Sequence, residues 1–174
     1  MTLALYGGSF NPPHNGHILL AQNALEALRP DKLIWMPSGD PPHKALPDGT
    51  PSAAHRLAMS RLAAEGLPDT EVSDFELTGG AKYTIDTVAM LRERVQPDRL
   101  WLLMGSDMRE SFGSWYRADE LRRLVEIYTF PRNILPVSST ETRSLLARGL
   151  GGDKTPPKVF AYIRKEGLYG CSGL

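Results

Sequence analysis

Cysteine is almost absent from this chain: of 174 residues, only Cys171 is one. A lone cysteine can form no internal disulfide, which fits a reducing compartment, and a cytoplasmic protein is the expectation. Excess charge of either sign is absent too. Lys plus Arg and Asp plus Glu each number 20, so the formal net charge is zero. That balance gives no support to bulk binding of nucleic acid or of a membrane surface, which draws on surplus positive charge. No apolar run approaches the ~20 residues needed to cross a bilayer. The chain opens on a strand-like segment, without the basic and apolar regions of a signal peptide. Internal repeats and low-complexity tracts are lacking. So are the GxGxxG and GK[ST] patterns of two common phosphate loops. At this length a single domain over residues 1–174 is the default, and it is long enough to bury a core.

What the chain does have is alternation. Strand-like runs at 3–6, 32–36, 70–73, 99–104 and 125–130 alternate with helical patterns at 15–28, 52–65, 84–95 and 119–124. This is the pattern of an α/β fold: a Rossmann-like, doubly wound parallel sheet with helices on both faces. Leu100-Trp101-Leu102-Leu103-Met104 has no polar break, as expected of a strand covered on both sides. Ser138-Ser139-Thr140-Glu141 has the form of a capping box and should open a helix that stops at Gly149. A last helix should start near Pro157, with Val159, Tyr162 and Ile163 on its apolar face. These make a C-terminal helical subregion over about 138–170.

The densest signal is GGSFNPPHNGH, from Gly7 to His17. Gly7 and Gly8 stand where the first strand must end, and glycine lets a backbone approach a ligand closely. Ser9 and Phe10 follow, then His14 and His17 with Asn15-Gly16 between them, and a helix begins at once. A helix that starts just after a strand aims its N–H groups at whatever sits there and favours an anion. A nucleotide phosphate is the expected occupant, with both histidines as side-chain donors. The competing reading is zinc, which wants three or four ligands. The other histidines are His43 and His55, no cysteine is near, and a third ligand is not evident.

Four further segments carry chemistry only in combination. Residues 37–51 hold five prolines and two glycines, as a binding loop would. Within it lies Pro41-Pro42-His43-Lys44, whose lysine could close over a polyphosphate. In SSTETR, Ser138, Ser139 and Thr140 open a helix and Arg143 sits one turn in, suited to bidentate phosphate contact. Gly105-Ser106-Asp107 follows the 99–104 strand directly, where open parallel sheets bind ligands and a carboxylate can accept from ribose; Asp107 also reads as a helix N-cap, and the two are compatible. Trp115-Tyr116 is either core or a platform for an aromatic ring.

Together and in this order, these motifs resemble the HxGH nucleotidyltransferase superfamily. Within it the chain is similar to the nicotinate-nucleotide adenylyltransferases of bacterial NAD biosynthesis. The likeness runs from Gly7 to Tyr169 and takes in GGSFNPPHNGH, PPHK, Tyr83-Thr84-Ile85-Asp86-Thr87, GSD, WY, SSTETR and the closing YIRKEGLY. PPHK, YTIDT and WY are what narrow it to that family. Another HxGH enzyme, such as a pantetheine-phosphate adenylyltransferase, and a non-catalytic nucleotide-binding module are the alternatives.

The resemblance implies adenylyl transfer from ATP to nicotinate mononucleotide, giving nicotinate adenine dinucleotide and pyrophosphate. It implies His14, His17, Lys44 and Arg143 as catalytic residues. It implies ATP contacts at Gly7, Gly8, Ser9, Phe10, Gly16, Gly105, Asp107, Ser138, Ser139 and Thr140. Trp115 would stack on the pyridine ring, and backbone amides near Thr84 and Tyr116 would take its carboxylate. Mg2+ would come on the ATP phosphates, with no protein metal site. A homo-oligomer is allowed by the family. The chain departs from the family pattern at three places. Asn11 stands where Asp is usual, and Thr142 stands where an apolar residue is usual. The usual insert after the last strand is missing, so that 129–133 runs into SSTETR almost at once.

Overall fold

The computed structural model describes residues 1–39, 45–130 and 137–171, except for the side chain of Asp107. Its centre is a five-stranded sheet in the order β3-β2-β1-β4-β5. The strands are β1 (Thr2–Gly8), β2 (Lys32–Pro37), β3 (Thr70–Val72), β4 (Arg99–Met104) and β5 (Glu126–Thr129). All pairings are parallel. The α/β, doubly wound expectation is therefore met.

Alternation along the strands explains why both faces need helices. Leu3, Leu5, Ile34, Met36, Leu100, Leu102 and Met104 point to one face. Ala4, Tyr6, Leu33, Trp35 and Leu103 point to the other. The first face is covered by α3 (Thr84–Arg94) and α5 (Ala118–Leu124), through Ile85, Val88, Leu91 and Leu121. The second is covered by α1 (Asn15–Leu28), α2 (Ala53–Ala64), α6 (Ser139–Leu146) and α7 (Pro157–Glu166), through Ala21, Ala24, Met59, Ala63, Leu146, Val159 and Ile163. Burying each of the larger side chains contributes ~1.5–3 kcal/mol. Two separate apolar layers thus fix the sheet from both sides.

The local signals behave as the sequence suggests, with shifts at the ends. Ser52 caps α2 by accepting from the His55 N–H. Ser138 caps α6 by accepting from the Glu141 N–H at 3.1 Å. Helix α6 ends at Leu146, and Gly149 adopts φ +72° in the turn that follows. Gly167 closes α7 in the left-handed region. The first strand does not stop at Tyr6 but takes in the glycines: Gly7 and Gly8 pair with Met36 and Pro37 as its last two residues. A short helix, α4 (Ser106–Ser111), follows β4, with Gly105 rather than Asp107 as its N-cap.

Strand order reverses at β1. The chain steps outward through β2 and β3, then returns to place β4 on the other side of β1. Ligands of open α/β sheets bind at the carboxyl edge of such a switch point. Gly7 and Gly8 end β1 there, and Gly105 follows β4 there.

Candidate active site

The two histidines of the opening motif cap each other. His14 is the N-cap of α1, with extended backbone, and its Nδ1 accepts from the His17 N–H at 3.3 Å. His17 Nδ1 accepts in return from the His14 N–H at 3.1 Å. This is a capping box built from imidazoles instead of the usual Ser and Glu. The rings lie stacked, centroids 3.6 Å apart and 21° from coplanar. Gly16 leaves room for this stack: a Cβ on it would lie 3.0 Å from His14 Nδ1, and the ring would have to shift by a few tenths of an ångström. Phe10 closes the other side of His17, edge-on at 5.0 Å.

This packing sets the protonation state. Burial pushes His14 down to about 4. Burial and the neighbouring His14 push His17 well below the ordinary value. Both rings are therefore neutral at pH 7. With each Nδ1 accepting a backbone N–H, the hydrogen-bond pattern assigns the proton to Nε2 in both. The pair offers two neutral N–H donors from one helix start.

The same burial makes the fold sensitive to acid. Unfolded, His14 takes a proton near pH 6.5; folded, it resists until about pH 4. Its contribution is full above pH 6.5 and is lost as pH falls through that interval. Between pH 7 and pH 5 the loss should be about 2 kcal/mol from His14. Urea unfolding at both pH values, compared with His14→Asn, measures it. Asparagine keeps an N-cap but does not titrate. Equal pH dependence in the two proteins would sink the assignment.

Arg143 is 132 residues from Asn11, yet its Nη1 donates to the Asn11 carbonyl at 2.8 Å. Its Nη2 donates to Thr140 Oγ1 at 3.2 Å. The start of α6 is thus brought against the histidine segment, and the Val137 side chain would lie 3.7 Å from a Cβ on Gly16. Thr142, the polar departure, is fully buried, and its hydroxyl bonds back to the Ser138 carbonyl at 2.8 Å. A hydroxyl satisfied inside the helix explains why an apolar residue is not needed there.

Asn11 is more connected than the sequence suggested. Its Nδ2 donates to Thr50 Oγ1 at 2.7 Å, and its Oδ1 accepts from the Tyr169 hydroxyl at 2.7 Å. The Thr50 hydroxyl itself donates to the Pro47 carbonyl. Thr50 must then accept from its partner, and an amide supplies the donor that a carboxylate would not. A cleft of about 530 Å³ lies beside these contacts, lined by Asp48, Gly49, Arg143, Leu168 and Tyr169 among others. A second surface depression of about 420 Å³, at Leu25, Arg29 and Asp69, is lined by none of the candidate residues.

Sequence reasoning also missed Arg56. It is buried on α2, and its Nη1 donates to the Ser9 carbonyl at 3.2 Å and the Ser38 carbonyl at 2.6 Å. It ties the turn after β1 to the turn after β2. The signal was available: Arg56 falls at i, i+3, i+4, i+7 spacing with the buried Met59, Ser60 and Ala63.

The segments expected to bind the second substrate also meet. The Tyr83 and Tyr116 rings stack at 4.3 Å, which sets Thr84, at the start of α3, beside the WY pair. Trp115 is half-buried against Phe112 at 5.3 Å, whereas Tyr116 is exposed. Asp86 accepts from the Tyr83 N–H at 3.1 Å and so caps α3. Lys44 and the rest of PPHK lie outside the described residues, as do residues 131–136. Gly105 is placed as the N-cap of α4; of the Asp107 side chain nothing is described. Among the described residues no three His, Cys, Asp or Glu side chains gather to hold a metal, and no helix is long and apolar enough to cross a membrane.

A cytidylyltransferase-like family model matches residues 5–159. Nicotinate-nucleotide adenylyltransferase of Bacillus subtilis strain 168 is 34% identical over 185 aligned residues, covering 96% of this chain and 97% of its own. The chain belongs to the nicotinate-nucleotide adenylyltransferase family, within the cytidylyltransferase-like proteins. In that family's terms, the reciprocal histidine pair occupies its HxGH motif. Solved structures share the fold at lower identity. Nicotinic acid mononucleotide adenylyltransferase of Plasmodium falciparum, complexed with NaAD, superposes with a TM-score of 0.79 at 18% identity and 98% coverage of both chains. The same protein complexed with APC gives 0.76 at 17%, also with 98% coverage of both.

Proposed function

We propose that this chain transfers the adenylyl group of ATP to nicotinate mononucleotide, releasing pyrophosphate and forming nicotinate adenine dinucleotide. The observation that carries the reading is the pair of neutral, stacked imidazoles at the start of α1, with Arg143 anchored to the same segment through Asn11. The comparisons with family members support the choice of substrates.

The 5′-phosphate of the mononucleotide attacks the α-phosphorus of ATP in line, and pyrophosphate leaves. A phosphate monoester has its second pKa near 6, so the nucleophile is already ionised at pH 7 and no general base is required. That accounts for donors without a Ser-His or Cys-His pair. Catalysis is then positioning plus charge stabilisation. His14 and His17 donate from Nε2 to the phosphates, and at least one meets the charge growing on the α-phosphoryl oxygens. Arg143, Ser139, Thr140 and the α6 N-terminus hold the β- and γ-phosphates, and Lys44 is assigned to them as a further cation. Mg2+, which neutralises phosphate charge when bound, would arrive on ATP. Asp107 takes a ribose hydroxyl. Trp115 faces the pyridine ring, and the start of α3 favours the ring's carboxylate over a neutral amide. The buried, unpaired Cys171 fits a cytoplasmic setting.

The test is pyrophosphate release with ATP, Mg2+ and, in turn, nicotinate mononucleotide, nicotinamide mononucleotide or phosphopantetheine. The first should exceed the other two clearly. Equal rates, or release with phosphopantetheine alone, would remove this assignment, and no release with any would favour a binding module.

A further inference from the structure

We infer that Tyr169 is a positioning residue for ATP: its hydroxyl holds Asn11, and Asn11 through its carbonyl holds Arg143. This rests on the adenylyl-transfer reading above and extends it to the C-terminal turn.

The chain of contacts is continuous. Tyr169 donates to Asn11 Oδ1 at 2.7 Å, and Arg143 Nη1 donates to the carbonyl of the same residue at 2.8 Å. Asn11 is itself almost fully buried, so its side chain has little recourse to water if a partner is lost. Its remaining amide bond runs to Thr50, in the proline-rich loop. One residue thus joins three distant elements: its side chain reaches that loop and the C-terminal turn, and its carbonyl reaches α6.

The turn that delivers Tyr169 is conformationally costly. Gly167 and Gly170 have φ +63° and +72°, as glycines can, but Tyr169 between them also has φ +58°. A bulky residue in the left-handed region is uncommon and persists only where its surroundings hold it. Its hydroxyl contact with Asn11 is what the turn achieves. The phenol ring is half-buried and packs against the apolar layer that carries Leu146 and Ile163. Removing the hydroxyl leaves Asn11 Oδ1 buried without its donor, and Arg143 then loses the fixed carbonyl that aims it.

Tyr169→Phe deletes only the oxygen and keeps the ring. The expected result is a rise in KM for ATP of about fivefold, the size of one hydrogen bond. The KM for nicotinate mononucleotide should stay as in the wild type. In an Arg143→Lys background the same change should add nothing to the KM for ATP. Asn11→Ala, which cuts the link from the other side, should reproduce the selective rise and carries the test if Tyr169→Phe does not fold. An unchanged KM for ATP, equal rises for both substrates, or additivity with Arg143→Lys would overturn the inference. If wild-type chain forms no dinucleotide, the parent reading fails instead. ATP affinity by calorimetry, wild type against Tyr169→Phe, then still decides the positioning role.

Discussion

Replacing His17 with alanine should reduce kcat by about 100- to 1000-fold, the effect of losing one donor worth about 3 kcal/mol at a developing oxyanion. His17 has two tasks that the variant removes together. Its Nε2–H is the donor assigned to the phosphates under the proposed function, and its Nδ1 accepts the His14 N–H that would otherwise be an orphan at the start of α1. The second task is structural, and losing such a cap costs about 1 kcal/mol. The chain should stay folded, because α1 is also held by Ala21 and Ala24, both buried in the core. His17→Asn separates the two tasks. Its amide oxygen can accept from His14 while its reach to the phosphate falls short, so stability should return and rate should not. Turnover of either variant within a few-fold of wild type would take the histidine out of the mechanism.

The second large effect is expected at Arg143. Arg143→Ala should lower kcat/KM for ATP by about 100-fold or more, through loss of a charged donor to the polyphosphate. Arg143→Lys should recover only part of this. The guanidinium contacts the Asn11 carbonyl with one nitrogen and Thr140 with another, which leaves further N–H groups for an anion. An ammonium on a flexible stem cannot span those acceptors and a phosphate in one geometry. Steady-state kinetics with ATP varied at saturating mononucleotide measures both. A lysine variant equal to wild type would show that charge alone matters and that the two anchors do not.

The parts of this molecule that could be read from sequence are those with short-range causes. β4 announced itself by an unbroken apolar run, and α6 by its capping box. The histidine motif gave its place at a strand–helix junction because glycine, histidine and helix periodicity fall within eleven residues. Helix α4 showed only as a candidate N-cap at Asp107, because six mostly polar residues carry no period to detect; its N-cap is Gly105. Gly7 and Gly8 signalled an end to β1, yet the parallel ladder to β2 carries them along. The contacts that matter most for the site were equally hidden. Asn11 and Tyr169 are 158 residues apart, and nothing local to either indicates the other. Arg56 could have been found by its spacing on α2, but a charged residue on a buried face reads as a surface residue until its carbonyl partners are seen.

The long sequence separation between Asn11 and Arg143 has a consequence for synthesis. His14 and His17 secure each other across three residues, so their cap can form as soon as α1 has left the ribosome. Arg143 follows 132 residues after Asn11, on the order of ten seconds later at ordinary translation rates. Until then the nascent chain carries its imidazole pair without the guanidinium that anchors to Asn11. A chain stalled before α6 would therefore hold the histidine cap without the guanidinium that braces its segment, and the two halves of the candidate site come together only late in synthesis.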